Sequence, residues 1–127
     1  MFKFKSLIII LLMALVTSIS HSKQLTESQK IDWLIDQVKD SELVFLRNGN
    51  THSAANAAKH LKFKIKTAKK MFWFFGPEKK FTVDDFINKI ASKSSSTGKL
   101  YKIRLKNGLE VTTKNWLNKK LKELQRP

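Results

Sequence analysis

Hydrophobic residues recur every three to four positions in four stretches of the chain, which is the spacing of an amphipathic helix. The stretches begin at residues suited to helix N-termini, such as Thr26, which is placed to form a capping box with Gln29. We therefore predict helices over residues 26–40, 53–75 and 82–92 and from about residue 113 onward. The second is long, basic and aromatic.

Short strand-like runs lie between these helices. An apolar, partly β-branched run over residues 43–46 precedes Asn48-Gly49, a dipeptide typical of tight hairpins. Residues 100–105 alternate in a strand-like way, and Asn107-Gly108 separates them from a short return strand over 109–111. The pattern predicts an α+β fold in which four helices pack on a small antiparallel sheet.

The N-terminus has the order of a secretory signal peptide. Lys3 and Lys5 precede an unbroken apolar run, Leu7 to Val16, and residues 17–22 are small and polar. A membrane span needs about 20 apolar residues, so this run is short for one. We expect residues 1–22 to be removed, leaving a single periplasmic domain over 23–127 with no transmembrane span.

The charge changes the choice of partner. The 127 residues include 25 Lys and Arg, 10 Asp and Glu and no Cys, and the formal charge is +15. Loss of Lys3 and Lys5 lowers it to +13. In the cytoplasm this charge would favour nucleic acid, but an exported protein meets a membrane surface, anionic envelope polymers or acidic proteins. The lack of Cys excludes disulfide scaffolds, thiolate zinc sites and thiol nucleophiles.

The first candidate site surrounds the first predicted hairpin and the start of the second helix. Its members are Arg47, Asn48, Asn50, His52, His60 and Lys64. Cations near a helix N-terminus, where backbone N–H groups are free, can bind an anion. In the alternative, Arg47 pairs with an acidic residue of the first helix, the asparagines serve the turn and His60 packs locally. The two histidines lack an acidic neighbour, so we predict no metal and no cofactor.

The second candidate site is the polar loop after the third helix. It comprises Ser92, Ser94, Ser95, Thr97, Gly98 and Tyr101. Hydroxyls and backbone amides in such a loop can hold a phosphate, sulfate, carboxylate or glycan. A capped loop with no ligand is the alternative. The spacing fits neither a P-loop nor a nucleophile elbow.

The third candidate is a basic aromatic surface over residues 59–80. Lys69, Lys70, Trp73 and Phe74 would suit an anionic membrane, with cations at the headgroups and rings at the interface. In the alternative, the aromatic residues are core and the lysines form a solvated face.

Several short motifs, in order and spacing, resemble the DUF5329 family of small exported bacterial proteins. They are Phe45-Leu46-Arg47-Asn48-Gly49 with His52, Ala58 with His60, Leu61 and Lys64, Phe86-Ile87, Ile90-Ala91-Ser92, Ser94-Ser95, Thr97-Gly98 with Tyr101, Asn107-Gly108 and Trp116-Leu117. The resemblance covers nearly all of residues 23–127 and implies no activity, ligand or cofactor. The chain departs from the family pattern between Thr67 and Lys80, where it is unusually basic and aromatic.

These observations predict a non-catalytic binding module for an anionic envelope ligand or a membrane surface. Two alternatives stay open. A cell-envelope hydrolase would need His60 or His52 within about 3 Å of a hydroxyl of the 94–97 loop. An inhibitor or interaction protein would instead dock an acidic partner.

Overall fold

The computed structural model describes residues 24–75 and 80–126, without the side chains of residues 72–75. The predicted signal peptide, over residues 1–22, and the predicted helix end at Gly76 and Pro77 lie outside the described residues. No helix within the described part is long and apolar enough to cross a membrane.

Three helices begin where the sequence predicts. Helix α1 (Glu27–Asp40) follows Thr26, whose side chain accepts from the Gln29 backbone N–H at 3.2 Å in the predicted capping box. Helix α2 (Ala54–Phe75) follows Ser53, which caps it by accepting from the backbone N–H of residue 56. Helix α4 (Thr113–Gln125) is capped by the side chain of Thr112. The predicted starts are confirmed. They could be predicted because a cap is an interaction between residues close together in the chain.

The third predicted helix differs from a regular α-helix. Helix α3 (Val83–Asp85) is a single turn with the expected Thr82–Asp85 capping box, and it continues as a π-helical turn (Phe86–Ile90). The Ala91 N–H donates to the Phe86 carbonyl at 2.9 Å, a span of five residues. The helix therefore ends at Ile90 rather than near residue 92, and the wider turn has three core side chains, Phe86, Ile87 and Ile90.

The four strands form one antiparallel sheet in the order β2-β1-β3-β4. They are β1 (Val44–Arg47), β2 (Asn50–His52), β3 (Lys102–Arg104) and β4 (Glu110–Thr112). Asn48 and Gly49 both have positive φ, at 51° and 80°, as a two-residue hairpin with the twist of a sheet requires. Strand β3 is shorter than the predicted 100–105 run, because Leu100 forms only an isolated bridge with Lys93.

The core lies between the helices and one face of the sheet. Phe45 and Ile103, adjacent on β1 and β3, are buried against Leu34 and Val38 of α1 and Leu61 of α2. Only Phe45 of the predicted apolar run over 43–46 is fully buried, because successive strand residues point to opposite faces and the other face of the sheet is open to solvent. The predicted α+β architecture is confirmed.

Candidate functional site

Arg47, His60 and Tyr101 form the shared wall of two adjoining cavities. The inner cavity, of about 300 Å³, lies between β1, β2 and the first turns of α2. The outer groove, of about 670 Å³, lies between α2 and the loop of residues 91–101. All three wall residues belong to the predicted sites, so the fold joins the hairpin site to the Tyr101 end of the second.

The elements bring these side chains together through ordinary periodicity. Arg47 ends β1 two residues after the core residue Phe45, so it points to the same face of the sheet. His60 and Lys64 are four residues apart on α2 and lie on one helix face. Tyr101 immediately precedes β3, which pairs with β1 and so brings the ring against α2.

Lys64 is a buried cation held by neutral oxygens. Its side chain is only 9% exposed, and its Nζ donates to the carbonyls of Ile90 at 2.7 Å and Lys93 at 2.9 Å and to the Tyr101 hydroxyl at 3.2 Å. Burial, and then the nearby charge of Arg47, lower the pKa of Lys64 from 10.5 to about 8. Because all three ammonium hydrogens have acceptors, Lys64 can influence an anion through its charge but has no free hydrogen to donate.

His60 is uncharged at neutral pH. Its Nε2 lies 3.2 Å from the Tyr101 hydroxyl, and the two rings meet edge to face with their centroids 6.1 Å apart. Burial is the main cause that lowers the pKa of His60 from 6.5 to about 4, followed by the charges of Arg47, Lys64 and His52. The Tyr101 hydroxyl, whose pKa burial raises, can thus accept from Lys64 while it donates to His60.

Arg47 forms no ion pair with any described carboxylate. The ion pairs of the described residues lie elsewhere, at Lys30–Glu27, Lys89–Asp85, Arg104–Glu110 and Lys120–Glu123. The alternative in which Arg47 pairs with an acidic residue of α1 is therefore wrong. Among the described residues, no acidic side chain lines the inner cavity or the outer groove. The site combines Arg47, Lys64 and two histidines, and no carboxylate of the described residues neutralises them.

The serine and threonine loop is tied to the first hairpin. The Asn48 side-chain amide donates to Ser94 Oγ at 3.2 Å, and its oxygen accepts from Thr97 Oγ1 at 2.6 Å. Gly98 closes the loop in the left-handed conformation, with φ at 71°, and its N–H donates to the Ser94 carbonyl. These contacts match the alternative of a capped loop for Ser94, Thr97 and Gly98. Ser95 is exposed and lines the outer groove, as does Asn50.

Among the described residues, two that line the inner cavity each have a buried polar atom without a hydrogen-bond partner. These atoms are Nε2 of His52 and Oγ1 of Thr113, whose side chain is only 1% exposed. Sequence reasoning found His52 but missed Thr113 and its cavity neighbour Asn56. The available signal was the pair Thr112-Thr113, because one threonine suffices to cap α4 and the second has no local role.

The contact required by the hydrolase hypothesis does not occur among the described residues. His60 hydrogen-bonds to Tyr101, and neither His52 nor His60 hydrogen-bonds to a hydroxyl of Ser94, Ser95, Ser96 or Thr97. The described part of the chain also has no group of three or more side chains suited to hold a metal ion.

Part of the predicted membrane surface is described. The side chains of Lys69 and Lys70 are exposed on α2, whereas those of Trp73 and Phe74 lie outside the described residues. Two large apolar side chains of the same helix are also exposed, Phe63 at 66% and Met71 at 59%.

The fold and the two cavities define a small α+β protein with a basic candidate site whose described lining contains no carboxylate. The model of a family of unknown function, DUF5329, matches residues 25–125, so the chain belongs to the DUF5329 family, and the predicted resemblance is confirmed. The chain is also similar to the uncharacterized protein YfeK of Salmonella typhimurium, with 32% identity over 76 residues. That match covers 59% of this chain and 57% of YfeK, so the chain spans little more than half of the relative. No solved structure matches the chain.

Proposed function

We propose that this protein is an exported, periplasmic binding module that holds a small anionic ligand at Arg47 without transforming it. The observation that carries the proposal is the unpaired guanidinium in the wall between the inner cavity and the outer groove. Neither space is lined by an acidic side chain among the described residues. An anion is the partner that would complete this site.

The surroundings of Arg47 favour an anion over a neutral ligand. Its guanidinium can bind a carboxylate, sulfate or phosphate through two parallel hydrogen bonds. Lys64, although fully hydrogen-bonded, adds positive potential from a buried position where water screens it weakly. Asn50 and Ser95 line the outer groove and can donate further hydrogen bonds.

Titration with sulfate and acetate, monitored through the NMR chemical shifts of backbone amides, tests the proposal. We expect saturable shifts around Arg47 and about a tenfold or greater loss of affinity in Arg47→Gln, because charged hydrogen bonds of this kind contribute on the order of 1.5–3 kcal/mol. Arg104→Gln is the matched control, since it removes the same charge from an exposed strand position. Equal losses in the two variants would show that only net charge matters and would contradict the proposal.

The second candidate function is attachment to an anionic membrane surface. It is favoured by the exposed Phe63 and Met71 on a helix whose other exposed side chains include Lys69 and Lys70. Sedimentation with phosphatidylcholine vesicles that contain phosphatidylglycerol tests it. Binding should weaken at rising salt and in a Lys69→Glu, Lys70→Glu double variant.

The control for this experiment is a Lys119→Glu, Lys122→Glu double variant, which makes the same charge change on exposed positions of α4. If both double variants lose vesicle binding equally, or if neither does, the membrane candidate is excluded.

A further inference from the structure

We infer that the inner cavity receives the apolar body of the ligand, and that the ligand is a small organic acid carrying a second hydrogen-bonding group. This inference rests on the proposed function, because it takes Arg47 as the partner of the acidic group. It adds the part of the ligand that an inorganic anion does not have.

The size of the inner cavity supports an organic ligand. Its volume is about 300 Å³, and an apolar cavity of about 150 Å³ in a protein interior is enough to bind benzene. An aromatic ring with two small substituents therefore fits. The volume is at the lower end of the range of small-molecule sites, which excludes large glycans and whole lipids as occupants of this cavity.

The wall of the inner cavity combines apolar side chains with one free cation, Arg47, among the described residues. Phe45, Ala57 and Leu61 supply apolar surface that can contact a ring or a short aliphatic chain. Arg47 belongs to both the inner cavity and the outer groove, so an acid bound to it can direct its body inward. A purely inorganic anion would leave this apolar surface uncovered.

The unpartnered atoms point to the second polar group. Thr113 and His52 line the cavity, and among the described residues Thr113 Oγ1 and His52 Nε2 are buried and have no hydrogen-bond partner. A buried hydroxyl without a partner is unfavourable, and nearly all such groups in folded proteins are paired. A hydroxyl or amide of a ligand that reached either atom would satisfy it.

A series of probes of increasing similarity to this ligand tests the inference. Dissociation constants are measured for acetate, benzoate, the three hydroxybenzoate isomers and the neutral 4-hydroxybenzamide. We expect benzoate to bind roughly tenfold to a hundredfold more tightly than acetate, because a phenyl-sized surface is buried. At least one hydroxybenzoate should bind more tightly still, and 4-hydroxybenzamide should bind weakly.

Thr113→Val tests the role of the unpartnered hydroxyl, because it replaces that hydroxyl with a methyl group of similar size. The preference for hydroxybenzoate over benzoate should disappear in this variant. Its melting temperature should stay equal to that of the unmodified protein or rise. Thr112→Val is the control, since it removes the hydroxyl that caps α4 and should lower the melting temperature.

The outcomes separate this inference from the proposed function. If sulfate and acetate bind in an Arg47-dependent way but benzoate gains nothing over acetate, the inference fails and the proposed function stands. If the amide binds as well as the acid, or if Thr113→Val leaves the hydroxybenzoate preference unchanged, the ligand class is wrong. If Thr113→Val destabilises the protein as much as Thr112→Val, the Thr113 hydroxyl is already satisfied and the second polar group is excluded. If no anion binds, both proposals fail.

Discussion

Two hairpins of this protein share an Asn-Gly turn signal but differ in the residue that lies opposite their arginine. The first joins β1 and β2 through Asn48-Gly49, and the second joins β3 and β4 through Asn107-Gly108. Each has an arginine on its first strand. In the second hairpin Arg104 lies opposite Glu110 and pairs with it at 3.5 Å, whereas in the first Arg47 lies opposite Asn50.

The difference teaches that the position of a charge matters more here than the net charge. Arg104 belongs to the solvent-facing side of the sheet, where an exposed ion pair contributes little. Arg47 belongs to the side that faces α2, beside buried Lys64 and uncharged His60, and it pairs with no carboxylate of the described residues. Among the described residues, the arginine of the first hairpin is therefore available to an anion, as we propose, whereas that of the second is paired within its own hairpin.

The largest effect on stability should come from Lys64, the buried lysine beside the first hairpin. Lys64→Met would leave the carbonyls of Ile90 and Lys93 without their donor, so we expect the free energy of unfolding to fall by about 3 kcal/mol. Urea denaturation measures it. Lys62→Met, at an exposed position of the same helix, should change stability by no more than about 0.5 kcal/mol.

Lys64→Met and Lys62→Met should also differ in how their free energy of unfolding depends on pH. Because the pKa of Lys64 is lowered from 10.5 to about 8 in the folded protein, the unfolded chain holds the proton between these values and the folded chain does not. The stability contributed by this group should therefore rise with pH over that interval. The rise should persist in Lys62→Met and be lost in Lys64→Met, and its persistence in both would contradict the burial of Lys64.

An effect of intermediate size is expected from the two asparagines in the hairpin turns, whose replacement by alanine should lower the free energy of unfolding by different amounts. Asn48 has positive φ and bonds to Ser94 and Thr97, so we expect Asn48→Ala to lower the free energy of unfolding by about 2 kcal/mol. Within the described residues, the side chain of Asn107 accepts only from the nearby Leu109 N–H, so Asn107→Ala should lower the free energy of unfolding by about 1 kcal/mol or less.

Asn48→Gly separates the two causes in this comparison. Glycine adopts positive φ without strain, so this variant loses only the bonds to the loop and should be less destabilised than Asn48→Ala. Thermal denaturation of the three variants measures the order. Equal stability of Asn48→Ala and Asn107→Ala would show that the first hairpin is as independent of its surroundings as the second.

The smallest effect, a change in the pKa of His60, should come from exchanging the residues that lie opposite the two arginines. Asn50→Glu places a carboxylate opposite Arg47, as Glu110 stands opposite Arg104. Neutralising Arg47 should raise the pKa of His60 above its present value of about 4, although burial still keeps it below 6.5. Glu110→Asn should leave it unchanged, and NMR titration of the histidine ring measures both.

The contribution of His60 to stability should also depend on pH. Between pH 4 and 6.5 unfolded His60 is protonated and folded His60 is not, so its contribution to stability rises with pH over this interval. In Asn50→Glu the pH interval over which stability rises should become narrower, because the pKa of folded His60 moves toward 6.5. Sulfate binding should weaken, because the new carboxylate neutralises Arg47. An unchanged pKa of His60 would mean that the charge of Arg47 does not act on the cavity.

Features that depend on neighbours in the chain could be predicted from the sequence. The caps at Thr26 and Thr82 and both Asn-Gly turns lie where their short-range signals indicate. The π-helical turn could not be predicted, because the burial of both Phe86 and Ile87 depends on what packs around the helix. Arg47, His60 and Tyr101 were each candidates, but nothing in their spacing placed them in one wall.

Lys64 shows why the candidate site could be predicted only in part. It stands three residues after Leu61 and four before Ala68, on the apolar side of α2, and this position was a signal that it would be buried. Its partners are backbone carbonyls 26 and 29 residues away, which have no signature of their own in the sequence. Thr113 was missed for the same reason, since its burial depends on the distant elements that pack over α4.

The sequence by itself determined the helix starts, the two hairpins, the α+β class and the basic character of the chain, because capping, periodicity and turn conformation act over a few residues. Only the tertiary structure decided which of many similar charges matter. Among the described residues, it paired Arg104 with Glu110, left Arg47 without a carboxylate and buried Lys64 of α2. It also left one buried polar atom of His52 and one of Thr113 without a hydrogen-bond partner. Burial and the distance to an opposite charge are set by elements far apart in the chain, so neither can be determined from composition or local pattern.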